Sequence, residues 1–146
     1  AAQFNLGQMY TNGEGVPEDD KEAVKWFRKS AEQGYANAQH NLGLMYQRGE
    51  GVPENDKEAV RWYKKAAEQG HPNAQFSRGS AYHIGRGVIE DKVQAYAWYN
   101  IAAANGDEGG KKLKTVVARE MTKEQIVEAQ KLSREIVKAN PKLMGD

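Results

Sequence analysis

Residues 38–70 read AQHNLGLMYQRGEGVPENDKEAVRWYKKAAEQG, and residues 2–34 read AQFNLGQMYTNGEGVPEDDKEAVKWFRKSAEQG. The two stretches are near copies set 36 residues apart. A looser third copy follows, in which Gly79, Tyr82, Gly87, Ala95 and Trp98 continue the series of Gly43, Tyr46, Gly51, Ala59 and Trp62. A period in this range marks a solenoid, whose units bury their apolar faces only by stacking on one another. The expected fold is all-α: an αα-hairpin repeat solenoid with a C-terminal capping helix.

Each unit reads as two helices. In the second, Ala38, Leu42, Met45 and Tyr46 share one face at i, i+4, i+7 and i+8. Gly43 interrupts that helix where alanine would be preferred by about 1 kcal/mol. Its recurrence predicts close approach of a second helix. Gly49 suits a left-handed helix end, and Pro53 prevents continuation. Val52 is expected to plug the space between helices, and Asn55 or Asp56 to cap the next one. That helix spans 57–69 with Ala59, Trp62, Tyr63 and Ala67 inward. Gly70 closes it, and His71-Pro72-Asn73 reads as a turn, with His71 an ordinary surface residue.

The repeats are placed at about 2–37, 38–73 and 74–109, followed by a cap at about 110–139 and a loose tail at 140–146. In the third unit Ile89 replaces proline and Arg78 replaces Leu6 and Leu42. Thr122 and Gln125 form a capping-box pattern that opens the last helix. Its stripe is Ile126, Ala129, Leu132, Ile136 and Val137. The chain begins inside a repeat, which reads as the edge of a longer array.

Twenty-one Lys and Arg residues balance 20 Asp and Glu, a net charge of +1. Neither nucleic acid nor a membrane surface is implied as a partner, and no apolar run is long enough to insert in a bilayer. Cysteine is absent, which excludes disulfides and thiolate metal sites.

The pattern Ala38, Leu42, Gly43, Tyr46, Gly49, Gly51, Val52, Pro53, Ala59, Trp62, Tyr63, Ala67 and Gly70 resembles the Sel1-like repeat, a relative of the tetratricopeptide repeat. The match covers roughly residues 2–106. Met121 to Ile126, with Ala129 to Leu132, looks like the terminal cap of bacterial members. The resemblance implies a right-handed αα superhelix acting as an adaptor or scaffold, periplasmic or secreted in preference to cytoplasmic. One cysteine-rich branch is linked to penicillin binding and β-lactam hydrolysis. This chain lacks the cysteines, so that activity is not carried over.

In this superfamily the first helices line the concave face. The outward positions are Phe4, Gln8, Thr11 and Asn12 in the first unit. They are His40, Leu44, Gln47 and Arg48 in the second, and Phe76, Ser80, His83 and Ile84 in the third. Phe4, His40 and Phe76 form a column of rings, while Leu44 and Ile84 are apolar where water would favour polar groups. Arg48 suits a carboxylate, and Asn5 and Asn41 suit a peptide backbone. Such a groove fits a protein or peptide segment.

Candidate chemistry is sparse. His40, His71 and His83 have no short-spaced metal partners, so no metal or cofactor is expected. Ser80 and His83 share a helix side at i, i+3, without an evident third orienting residue, and no catalytic residue is assigned. The glycine loops lack the lysine and serine of a phosphate loop. Their acidic residues read as helix caps ahead of a weak calcium site. The main expectation is a non-catalytic binding scaffold. Alternatives are a cell-wall or β-lactam hydrolase, by family analogy, and self-association through the open N-terminal end.

Overall fold

The structure, a computed structural model, describes residues 1–145. Among them are eight α-helices and no strand: α1 Ala2–Asn12, α2 Asp20–Glu32, α3 Ala36–Arg48, α4 Asp56–Glu68, α5 Pro72–Ile84, α6 Lys92–Ala104, α7 Glu108–Ala118 and α8 Lys123–Ala139. A short 3-10 turn, Pro141–Met144, follows. The helices pack in successive neighbouring pairs, the arrangement of a repeat solenoid. Two compact units are formed, Ala1–Ala66 and the remainder from Ala67.

The caps at Asp19, Asn55 and Thr122 are those the sequence implies, and Asp91 adds one in the third unit. Asp19 accepts from the N–H groups of Lys21 and Glu22. Asn55 accepts from that of Glu58, and Asp91 from that of Gln94. Thr122 and Gln125 close a reciprocal box. These carboxylates and amides serve the orphan donors of the helix starts. Gly49 ends α3 at φ 68°, the left-handed region that glycine enters without a Cβ clash.

The interior glycines of the first helices admit aromatic rings. A Cβ on Gly43 would stand 2.6 Å from Tyr63 Cε1, and one on Gly79 2.7 Å from Tyr99 Cδ1. In unit 1 the core gathers Val24, Phe27, Ala38, Leu42, Met45 and Trp62, with Val52 packed against it. In unit 2 Ala95, Tyr96, Tyr99, Val117 and Ala129 form a core from α6, α7 and α8.

Three expectations need correction. Helix α3 begins at Ala36, two residues ahead of the expected helix start at Ala38, and α5 begins at Pro72, within the expected turn. Pro72 initiates α5, because its missing N–H costs nothing in a first turn. His71 is that helix's cap, its Nδ1 accepting from Ala74 N at 3.1 Å. It is half-buried, and burial holds its pKa below the ordinary histidine value. Finally, the tail is not loose over residues 140–145: Leu143 is 1% exposed, and its carbonyl is held by two side chains described below, while Asp146 lies outside the described residues.

Candidate partner-binding face

The column of rings is largely a packing column. Phe4 lies 5.7 Å from Phe27 between centroids, His40 5.6 Å from Tyr63, and Phe76 5.6 Å from Tyr99. Each ring is thus seated on the aromatic residue that also fills the glycine notch of its own hairpin. Phe4 adds an edge contact to Tyr35 at 5.2 Å. Phe4 and Phe76 remain half-buried. His40, expected to face outward, is only 9% exposed. Its imidazole is flat and apolar enough on its faces to pack on Tyr63, which removes it as a freely available contact.

The next columns behave differently. In unit 1, Gln8 and Thr11 of α1 face Asn41, Leu44 and Arg48 of α3 around a cavity of about 160 Å³. Phe27 and Met45 supply apolar wall, and Glu50 stands at the rim. Arg48 and Asn12 are exposed. Asn12 Nδ2 donates to Glu14 Oε1 at 3.2 Å. Gln47 is committed inward, its Oε1 accepting from the Tyr63 hydroxyl at 2.6 Å. The cavity therefore combines an apolar wall, two amides, a hydroxyl, one cation and the Glu50 carboxylate, which suits an apolar side chain flanked by backbone, with Arg48 available to a carboxylate.

In unit 2 the corresponding positions join a polar chain. The Tyr99 hydroxyl donates to Ser80 Oγ at 3.1 Å and lies 3.2 Å from His83 Nδ1. His83 Nε2 meets Glu120 Oε2 at 3.1 Å, and Lys92 Nζ lies 3.7 Å from the other oxygen of Glu120. The hydrogen bond from His83 holds the Glu120 carboxyl below the usual range, with the Lys92 charge adding to it. Burial raises the Tyr99 pKa, so it stays a phenol. Ser80 meets that phenol, while the two nitrogens of His83 face Tyr99 and Glu120. The imidazole is not set to take a proton directly from Ser80, as a serine nucleophile needs. Ile84 stands beside this chain, 58% exposed.

Glu120 was not foreseen, since it lies 37 residues from His83, in the turn that follows α7, a helix that has lost the repeat signature. Tyr63 was expected inward, but neither its hydroxyl contact to Gln47 nor that of Tyr99 to Ser80 has a local signature in the sequence. Among the described residues no group of three His, Cys, Asp or Glu side chains is placed to hold a metal. No described helix is long and apolar enough to cross a membrane.

A family model described as Sel1 repeat matches at residues 1–35, 36–71 and 72–107. Among solved structures, the chain is similar to c5321, a protective antigen of uropathogenic Escherichia coli strains displaying an SLR fold. The TM-score is 0.89 at 36% identity, over 98% of this chain and 31% of that one. The chain thus spans about a third of that antigen's length. It is also similar to a Sel1 repeat protein from Oxalobacter formigenes, with a TM-score of 0.72 at 44% identity, over 78% of this chain and 86% of that one. None of the curated proteins matches.

Proposed function

Because the chain belongs to the Sel1 repeat family, whose members generally act in protein–protein interaction, we propose that it is a non-catalytic adaptor that holds a segment of a partner protein on its first-helix face. The observation that carries this reading is the unit 1 cavity, where Gln8, Leu44 and Arg48 converge from two helices. These are positions that the repeat frame leaves free, yet they are gathered into one concavity. An aliphatic anchor enters against Leu44 and Met45. Gln8 and Asn41 take its backbone, and Arg48 pairs with a neighbouring carboxylate. In unit 2, Ile84 offers an apolar contact beside the polar chain of Ser80, His83 and Glu120.

The non-catalytic part of the proposal is supported by the engagement of His83 away from Ser80. A β-lactam or peptidoglycan fragment hydrolysed at high protein concentration would overturn it. The binding part is tested by affinity capture with the parent chain and with a Gln8→Ala, Arg48→Ala variant. A protein retained by the parent and lost from the variant supports the cavity as the site. Equal retention by both refutes it. Light scattering that shows a concentration-dependent dimer would favour self-association in its place.

A further inference from the structure

One repeat of this chain shows what an inter-repeat groove can hold, because its own end lies in one. In unit 2, Asn140 Nδ2 donates to Glu68 O at 3.0 Å. The carbonyl of Leu143 accepts from Gln75 Nε2 at 2.8 Å and from Asn105 Nδ2 at 2.6 Å. A Cβ on Gly70 would lie 2.5 Å from Lys142 O, so the tail's main chain rests on the bare glycine. The groove therefore accepts a short peptide segment through its backbone, with one buried side chain.

The matching groove of unit 1, 36 residues earlier, is an open cavity of about 550 Å³. Gly34, the counterpart of Gly70, has nothing within 4 Å of a Cβ position. Gln39, the counterpart of Gln75, bonds the preceding helix in the same way. Its Nε2 reaches Ala31 O at 3.1 Å, as that of Gln75 reaches Ala67 O at 3.2 Å. What differs is the wall. Ala97 and Ile101 are fully buried in unit 2, and their counterparts here are the exposed Arg61 and Lys65. Both cations lie over the Trp62 ring, each 4.9 Å from its centroid. Arg28 adds a third positive charge, held by its bond to the Tyr46 hydroxyl at 2.5 Å. Glu32 is the one carboxylate in the cavity lining, and Arg61 also meets Glu58 at 3.1 Å.

We propose that the unit 1 groove binds a short acidic peptide segment, seated as the tail is seated in unit 2, with its carboxylates against Arg61 and Lys65. The glycine floor fits a main chain, and the cations stand where the repeat offset puts Ala97 and Ile101 in unit 2. A second copy's tail is the wrong occupant, because Lys138 and Lys142 would bring positive charge to positive charge. The site is separate from the first-helix face and does not depend on it.

Two labelled peptides test this by fluorescence anisotropy on the intact chain. One has the tail sequence Asn-Pro-Lys-Leu-Met-Gly, and the other carries glutamate in place of its lysine and leucine. The acidic peptide is expected to bind saturably and more tightly, and to weaken as salt rises. Arg61→Glu with Lys65→Glu should weaken it by about tenfold or more, with helicity retained in circular dichroism. Arg61→Ala with Lys65→Ile rebuilds the unit 2 wall and should move the preference to the tail peptide. The proposal is overturned if the parent does not prefer the acidic peptide, or if the charge-reversed variant binds it unchanged. Displacement by equimolar inorganic phosphate would reduce the site to an anion site and overturn it equally.

Discussion

Gly34 and Gly70 occupy the same place in the repeat, yet one is bare and the other is covered by main chain. The local hairpins around them are nearly identical. The difference lies in what is near in space: unit 2 has the tail after α8, and it carries the buried Ala97 and Ile101 at the positions of Arg61 and Lys65. Unit 1 keeps the same floor with lysine and arginine walls. A repeat frame thus sets the shape of a groove, while a few side chains outside the frame set its occupant.

The largest expected effect comes from emptying the filled groove. Leu143→Ala should cost about 2–5 kcal/mol, as for other fully buried leucines. In hydrogen exchange the loss of protection should fall on α5 and α6 and spare α1 to α3. Equal loss in both units would break the contrast between the grooves. Next, Gly43→Val and Gly79→Val force a side chain against Tyr63 and Tyr99. Each should destabilise by about 1–3 kcal/mol through overpacking. Chemical denaturation should find the two similar, since the notch belongs to the shared frame. A mild effect in one unit alone would show that the frames differ more deeply than their grooves.

His71 gives a smaller effect, and a pH-dependent one. Its folded pKa is depressed by burial, so the folded chain binds fewer protons than the unfolded chain. Stability from this group is present above the ordinary histidine value and lost as pH falls. Protonation also removes the lone pair that caps Ala74. His71→Asn keeps a cap and should flatten the fall in melting temperature between about pH 7 and 5, whereas an unchanged slope would remove His71 from that role. Smallest of all, Arg61→Glu with Lys65→Glu should alter stability by less than about 0.5 kcal/mol. A large loss in thermal melts would mean that these cations hold unit 1 together, and the groove could not be read as a free surface.

Much of this molecule was legible in its residues. The hairpins, the caps at Asp19, Asn55 and Thr122, and the notches at Gly43 and Gly79 are local or recurrent features, and recurrence separates frame from filler. Of the proposed partner-binding residues, Gln8, Leu44 and Arg48 line one cavity, while Ile84 stands exposed. His40 is buried against Tyr63 and Gln47 accepts from the Tyr63 hydroxyl, because a position that packing does not dictate in one repeat is still packed in another when the side chain fits. The role of His71 was missed because a histidine before proline resembles a turn, and only the position of Ala74 N shows it to be a cap.

By itself, then, the sequence determined the repeat, its helices and the close approach within each hairpin, since these follow from spacing along the chain and from short-range hydrogen bonding. Only the tertiary structure decided the burial of His40, the pairing of His83 with Glu120 and the seating of Leu143 on Gln75. The last two join residues 37 and 68 positions apart. Such contacts have no local period to betray them, because they depend on which distant surface the folded chain brings within reach.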